Sequence, residues 1–417
     1  MRILWVKAGK LLPADTGGRL RSYHLLRQLA RSHEVLVLTY YEGKRDAEYE
    51  SQLNDVFPGA ISLRTGSESL TARVVDYVRH LWNDAPFTVY RYSRGPVRQR
   101  VERILADNGV DVAVCDFLAP SLNFPLRSVV PVVLFQHNVE SLLWQRRAAA
   151  ERRSLWRTVY SLEAQRMRQY EARALRRFDR VIAVSEVDKA EFSAMAPGVP
   201  VDVVPTGVDV QAFDRPASMV DPTDTVVFVG SMDWEPNVDG VEWFCQEVWP
   251  LVLRHRPGTR FQIVGRRPGR RIRALASETV EVVGDVSSVA PYLHRVAVSV
   301  VPLRSGGGTR LKILEAFAAR CAVVSTTVGA EGLPVQDGRD ILLRDDANAF
   351  AAAVVALLED SGYRRRISEA ARTTAETFDW SAVVTYFEAA LTAAYSSRGQ
   401  AASGEGSGHS SSLRHTC

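Results

Sequence analysis

The sequence predicts an α/β protein of two doubly wound domains, each a parallel sheet with helices on both faces. Three observations lead there. Short valine-rich runs alternate along the chain with helical stretches, the order of strand–helix–strand units that build parallel sheets. Runs such as Val296-Ala-Val-Ser-Val-Val301 and Pro131-Val-Val-Leu-Phe135 are continuously apolar, as strands buried on both faces must be. At 417 residues the chain is long for one hydrophobic core, which makes two domains the default.

Arg2–Lys7 reads as the first strand, followed by a loop that ends in Gly17 and Gly18, a helix over Arg19–Ala30 and a second strand over Glu34–Thr39. Glycines at the start of a helix that connects two strands belong to a doubly wound sheet. Helices near Arg45–Val56, Ser69–Trp82 and Pro96–Asn108 then alternate with shorter runs, and Asp111–Cys115 and Pro131–Phe135 are further strands. Gln136-His-Asn-Val-Glu140 lies at the carboxyl end of the last of these, where open sheets place their ligand contacts. His137 has two readings there, a structural residue or a site group. Asp116 also ends a strand and could face an acceptor. The helical region from Ser141 to about Phe178 is crowded with arginines between Arg146 and Arg177, interleaved with Leu142, Trp144, Leu155, Trp156, Tyr160 and Leu162. It reads either as a solvated hairpin with core-facing aromatics or as a basic amphipathic surface for anionic lipid or an anionic glycolipid.

Arg180–Ser185 and Val201–Pro205 close the first half, and Thr206–Phe213 is the expected linker. This places the domains at residues 1–205 and 206–380. The second half restarts the alternation with a strand over Thr225–Gly230, a helix over Val238–His255 with Asn237 as its N-cap, and strands at Phe261, Val280 and Ala322. Helices over Ala347–Asp360, Tyr363–Phe378 and Ser381–Ala394 follow, and the serine- and glycine-rich tail from Ser396 is expected to be disordered.

One stretch carries the chemistry. After the strand Val296–Val301, Ser305-Gly-Gly-Gly308 turns the backbone, and from Thr309 the pattern becomes helical, with Leu311, Leu314 and Ala318 on one stripe. A strand, a glycine turn and a helix start favour an anion, through orphan amides and the helix dipole. Arg310 and Lys312 add cations where helix electrostatics alone would prefer acids, which again indicates an anionic ligand. No Gly-Lys-Ser/Thr follows the glycines, and the spacing is not GxGxxG, so neither a Walker loop nor a dinucleotide fingerprint is present.

This stretch resembles the donor-site signature of retaining GT-B glycosyltransferases of family 4, in which a glycine loop and helix start bind the diphosphate of a nucleotide sugar. The resemblance implies two Rossmann-like domains facing a cleft, with a final helix, 381–395, crossing back to the first. It implies that Gly306, Gly307, Gly308, Thr309, Arg310 and Lys312 bind the diphosphate and that Glu315 takes the ribose hydroxyls. It further implies that Gly17 and Gly18 lie beneath the phosphate and sugar, that His137 stands close to the donor sugar, that the turn after Gly265 and the segment at Asp285 and Val286 receive the base, and that Arg266 is a further candidate cation for the diphosphate. His137, Arg310 and Lys312 are the candidate catalytic residues. Two departures stand out: Gly307 occupies the position of a glutamate usual in the family, and Gly230-Ser-Met-Asp-Trp-Glu-Pro-Asn237 lacks the usual arginine and lysine. Together with Phe-Gln-His-Asn-Val-Glu, these features are similar to a branch associated with exopolysaccharide assembly.

Composition narrows the partners. With 46% hydrophobic and 24% charged residues, the chain is that of an ordinary soluble protein. A net charge of +4 suits small anions or an anionic membrane surface and is far from a nucleic-acid-binding tail. Four scattered cysteines show neither metal-ligand spacing nor a disulfide framework, which fits a reducing cytoplasm. Met1–Lys7 is too short for a signal peptide and no apolar run approaches a bilayer-spanning length, so the expected location is cytoplasmic or peripheral at the inner membrane face. The expected function is transfer of a sugar from a nucleotide diphosphate donor to a glycan or glycolipid hydroxyl, with retention. No metal is implied, since no paired carboxylates suit one. The alternatives are a nucleotide-sugar epimerase on the same architecture and a non-catalytic nucleotide-sugar-binding subunit.

Overall fold

The computed structural model describes the chain except residues 67–84, 108, 152, 216–222, 307–309 and 406–417, and the side chains of 150 and 399–405. The expected helix over Ser69–Trp82 therefore lies outside the described residues. The chain forms two compact units, Met1–Pro205 with Val384–Cys417, and Thr206–Val383.

In the first unit the strands are β1 (Arg2–Ala8), β2 (Glu34–Tyr41), β3 (Ile61–Arg64), β4 (Val112–Asp116), β5 (Val132–Phe135), β6 (Arg180–Ala183) and β7 (Val201–Val203). They form one sheet in the order β3-β2-β1-β4-β5-β6-β7, parallel throughout. Ile3–Val6, the whole of β4 and the whole of β5 are buried, as sheet-interior strands covered on both faces require. The order reverses between β1 and β4, and the carboxyl ends of these neighbours bring Lys7 level with Asp116.

In the second unit the strands are β8 (Thr223–Val229), β9 (Arg260–Val264), β10 (Val280–Gly284), β11 (Val296–Val301), β12 (Ala322–Ser325) and β13 (Leu342–Leu343), ordered β10-β9-β8-β11-β12-β13. All pair in parallel. β11 is buried at every position, and the helix Leu311–Ala318 that follows buries Ile313, Leu314, Ala316, Phe317 and Ala318. The segment expected as a linker is tied into this unit: Val208 bridges Asp379, and its amide donates to the Phe378 carbonyl at 2.8 Å.

Several local expectations change. The helix expected over Val238–His255 is a helix over Glu235–Trp243, a π-helical turn over Phe244–Val248 and a helix over Trp249–His255. Pro250, which lacks an amide donor, sits in the first turn of the last piece, a position where that loss is tolerated. Asn237 is not an N-cap. It is buried inside the first turn, and its amide donates to the Ser231 carbonyl at 2.7 Å. The arginine-rich region divides into helices Glu140–Ala150 and Ser154–Leu175. The last helix runs over Trp380–Glu405, past the expected end at Ala394 and through the start of the tail expected to be disordered. Burial of Val383, Phe387, Ala390, Leu391 and Ala394 anchors it. Among the described residues, no helix is long and apolar enough to cross a membrane.

Gly265 follows β9 at φ +152, and a Cβ there would meet the Gly230 carbonyl oxygen at 1.7 Å. Only glycine lets the turns after β8 and β9 approach so closely. Gly265→Ala is expected to lower stability by about 3 kcal/mol or more, since backbone strain and a backbone clash combine. A urea midpoint equal to that of the wild type would show that the two turns separate freely.

Candidate active site

The carboxyl ends of β1, β4 and β5 in the first unit enclose a buried polar cluster. Asp116, the last residue of β4, is fully buried. Its Oδ2 accepts from Lys7 Nζ at 2.9 Å, Ser22 Oγ at 2.6 Å and Trp5 Nε1 at 3.0 Å. Its Oδ1 pairs with His137 Nε2 at 2.7 Å. Burial alone would raise the Asp116 carboxyl, but Lys7, His137 and the hydrogen bonds from His137 and Ser22 hold it well below the usual carboxylate range. Burial pulls the Lys7 ammonium down against the attraction of Asp116. Burial likewise takes the His137 imidazole down to about 3, also against Asp116.

Aromatic rings fix the imidazole. Phe117 stacks on His137 with ring centroids 3.6 Å apart and planes at 14°, and Phe135 lies at 4.3 Å. Phe117 has φ 72, and Lys7 Nζ lies 4.5 Å above its ring. The helix that follows β1 begins at Gly17, and a Cβ on Gly18 would stand 2.6 Å from Phe117 Cζ. The glycine at this helix start thus makes room for the ring that holds His137. Asp116, expected as an acceptor-facing group, is instead enclosed behind His137, because its two oxygens are consumed by buried donors. Lys7, Ser22 and the buried Arg21 were missed in the sequence. A charged residue ending an otherwise apolar strand was the available signal for Lys7.

Beyond His137, the helix Glu140–Ala150 starts over a second buried carboxylate. Glu171 accepts from the amides of Glu140 and Ser141 at 2.9 and 3.1 Å and from Ser141 Oγ at 2.7 Å. Glu140 is half-buried, and burial with Glu171 nearby pushes its carboxyl up to about 7. The helix pair formed with Ser154–Leu175 carries exposed apolar groups, Leu155 at 72% and Trp156 at 46% exposure. Arg147 lies over Trp144 and Tyr160, at 5.6 and 4.6 Å from the ring centroids. A groove of about 450 Å³ between the two helices is lined by Arg157, Arg168, Gln165 and Ala149. Arg152 lies outside the described residues.

The second unit gathers a cationic corner. Lys312, in the first turn of the helix Leu311–Ala318, donates to Asn237 Oδ1 at 2.7 Å and lies 4.3 Å above the Phe228 ring. A Cβ on Gly230 would meet both Asn237 Nδ2 and Lys312 Nζ at 2.8 Å, so the ammonium rests against the turn after β8. Burial, with Arg310 nearby, pulls Lys312 down to about 7 against the attraction of Glu315. Burial pushes the half-buried Glu315 up to about 7 against that of Lys312. Arg310 is buried at the N-cap and donates to the carbonyls of Gly306 at 3.2 Å and Val328 at 2.8 Å, and to Glu331 at 3.4 Å. It holds the loop's backbone through these carbonyls. Gly307, Gly308 and Thr309 lie outside the described residues.

Gly265 joins this corner through its contact with Gly230. The Arg266 carbonyl accepts from the Met232 amide at 2.8 Å, and Asp285 Oδ1 accepts from the Arg267 amide at 3.2 Å. Val286 packs on the core at the end of β10. The sequence-derived residues therefore form two groups: Gly17, Gly18 and His137 at the strand ends of the first unit, and Gly265, Arg266, Asp285, Val286, Gly306, Arg310, Lys312 and Glu315 at the strand ends of the second.

Comparison with known proteins gives the family. Residues 17–212 match a family model described as Glycosyltransferase Family 4, and residues 223–360 match one described as Glycosyl transferases group 1. A Klebsiella pneumoniae protein named for its place in a cps region is 21% identical over 370 residues, 85% of this chain and 90% of that one. A phosphatidyl-myo-inositol mannosyltransferase of Mycolicibacterium smegmatis is 31% identical over 216 residues, 48% of this chain and 54% of its own. Among solved structures, Anabaena HepE in complex with UDP and glucose is similar at a TM-score of 0.59 and 14% identity, covering 94% of this chain and 100% of that chain. Sucrose-phosphate synthase from Thermosynechococcus elongatus is similar at 0.64 and 17% identity, covering 95% and 99%. With two doubly wound parallel sheets and both halves matched, the chain belongs to the family 4, group 1 glycosyltransferases of GT-B fold and is a sugar-transferring enzyme.

Proposed function

We propose that this enzyme moves a hexosyl group from a nucleotide diphosphate sugar to a hydroxyl of a glycan or glycolipid, with retention, in the assembly of a polysaccharide. The observation that carries the reading is the corner at the start of the helix Leu311–Ala318. There a buried-side ammonium, Lys312, rests against a backbone turn at Gly230, one helical turn from the half-buried carboxylate Glu315. Negative charge grows on the leaving diphosphate as the glycosidic bond breaks, and Lys312 supplies the positive charge that stabilises it. Arg310 holds the Gly306 and Val328 carbonyls, shapes the loop and adds a second cation. The amides of Gly307, Gly308 and Thr309, read from sequence alone, extend that anion site. These cations take the part a divalent metal would otherwise play. Glu315 binds the ribose hydroxyls, and the backbone of Gly265, Arg266, Asp285 and Val286 receives the base. In the first unit, Gly17 and Gly18 accommodate the phosphate and sugar, and His137 contacts the sugar.

The relatives support this reading. HepE was solved with UDP and with UDP-glucose, which supports a nucleotide diphosphate donor here. The cps-region name supports a polysaccharide product, and the mannosyltransferase's name supports a lipid-borne acceptor. The arginine-rich helix pair would bring the enzyme to the cytoplasmic face of a membrane, with Leu155 and Trp156 as the apolar contacts.

Three outcomes are expected. Glu315→Ala should raise the donor KM and weaken UDP binding by about 1.5–3 kcal/mol, the range for hydrogen bonds to a charged group. Calorimetry that gives wild-type affinity in the folded variant would exclude the ribose role. Lys312→Met should lower kcat more than it weakens UDP binding, because its contact strengthens toward the transition state; equal losses in both would make it a binding residue only. Finally, the protein should co-sediment with anionic vesicles at low salt and detach as salt rises, each cation contributing on the order of 1 kcal/mol near the surface. Arg153→Gln with Arg157→Gln should weaken that binding without unfolding. Failure to sediment at low salt would leave the helix pair as a solvated surface.

A further inference from the structure

We infer that Asp116 and Lys7 are positioning residues that hold His137 in a single state, a neutral imidazole with its proton on Nε2 and a bare acceptor at Nδ1, so that the group it pairs with must be a hydrogen donor such as a sugar hydroxyl. This rests on the proposed contact of His137 with the sugar and names the chemistry of that contact.

The argument begins with Asp116. Its Oδ2 is surrounded by donors, from Lys7, Ser22 and Trp5, and its Oδ1 is left for His137 Nε2 at 2.7 Å. An ionised carboxylate only accepts, so the hydrogen in that bond belongs to Nε2. Lys7 cancels the charge of Asp116 at 2.9 Å, both groups being buried. With that pair neutral, and with Arg21 buried in the same unit, a further proton on the imidazole would leave an uncompensated charge away from water. The low affinity of the buried ring for a second proton agrees with this.

Nothing in the surroundings lets the ring exchange its two nitrogens. Phe117 lies parallel to it at 3.6 Å, Phe135 covers it at 4.3 Å, and a flip would put a carbon opposite Asp116 Oδ1. Nδ1 therefore has a fixed direction. It is buried and has no hydrogen-bond partner among the described residues. A desolvated acceptor without a partner is unfavourable, and native structures rarely retain one. His137 follows β5 by two residues, at the carboxyl ends of the parallel strands where open sheets bind ligands. A hydroxyl satisfies a lone pair there; a carboxylate or phosphate oxygen has no hydrogen to offer it.

Asp116→Asn tests the assignment through its own geometry. Lys7 and Trp5 can only donate, so the amide oxygen must face them and the amide nitrogen must face His137. Nε2 then has to accept, the ring proton moves to Nδ1, and the acceptor is lost. In the variant, kcat should fall on the order of 100-fold or more, as when a histidine is held in the wrong tautomer. UDP affinity, which in the proposed site comes chiefly from the second unit, should stay within about twofold and also reports folding. The nitrogen spectrum of His137 should change from an Nε2–H to an Nδ1–H pattern. A folded variant with near-wild-type kcat would overturn the proposal. The wild type decides it without any substitution: ¹⁵N-histidine spectra should show protonated Nε2 and bare Nδ1 at pH 7, persisting as the pH falls to about 4. An imidazolium near pH 6.5, or a proton on Nδ1, would overturn it. If the wild type neither binds UDP nor turns over any nucleotide sugar, the proposed donor reaction fails, while these spectra still decide the state of His137.

Discussion

A carboxylate buried at the end of a sheet-interior strand must be compensated, and the ion pair between Asp116 and Lys7 meets that requirement. Much of the first unit's upper edge follows from it. Lys7 can reach Asp116 because β1 and β4 are adjacent and in register at these two residues. Ser22 joins them from the first helix and Trp5 from β1, which ties strand, strand and helix through one oxygen. Removing either charge would leave the other stranded in the interior. The pair therefore fixes the relative heights of the elements around His137 as well as its chemistry.

The second unit manages charge differently. Arg310 reaches the exposed Glu331 at 3.4 Å, and Glu315 attracts Lys312 from one helical turn away. Lys312 is held by a neutral amide, Asn237, and by the face of Phe228, while Arg310 is occupied by backbone carbonyls. Dipoles and an aromatic ring orient an ammonium without neutralising it. Burial holds the ammonium's proton less tightly than usual.

The alternation of apolar runs and helices made both sheets legible in the sequence, because strands covered on two faces leave an unbroken hydrophobic record. The helix Leu311–Ala318 after β11 was legible for the same local reason. What escaped was whatever depended on partners distant in the chain. Asn237 looked like a cap because its type and position suited one, yet its side chain is committed to Ser231 and Lys312. Arg310 read as a cation for a ligand, and its bond to the Val328 carbonyl is one that no local pattern announces. Asp116 looked like a strand-end ligand, although Lys7, Ser22 and Trp5, which donate to it, lie more than ninety positions away. The π-helical turn at Phe244–Val248 breaks a periodicity that reads as one helix, since a single inserted residue leaves the apolar spacing nearly unchanged.

The last helix has a consequence for how such a protein can be divided or recombined. Phe387 stacks on Trp5 at 5.4 Å and meets Phe135 edge-on at 5.1 Å, directly beneath the His137 cluster. The first unit is therefore assembled from both ends of the chain, whereas the second is one continuous insert, Thr206–Val383. A break after Pro205 would yield a fragment with Trp5 and Phe135 stripped of their cover. Exchange of genetic segments would meet the same asymmetry. Two crossovers can replace the second unit as an intact cassette and leave the first whole, while one crossover always joins a sheet to a helix that did not evolve against it.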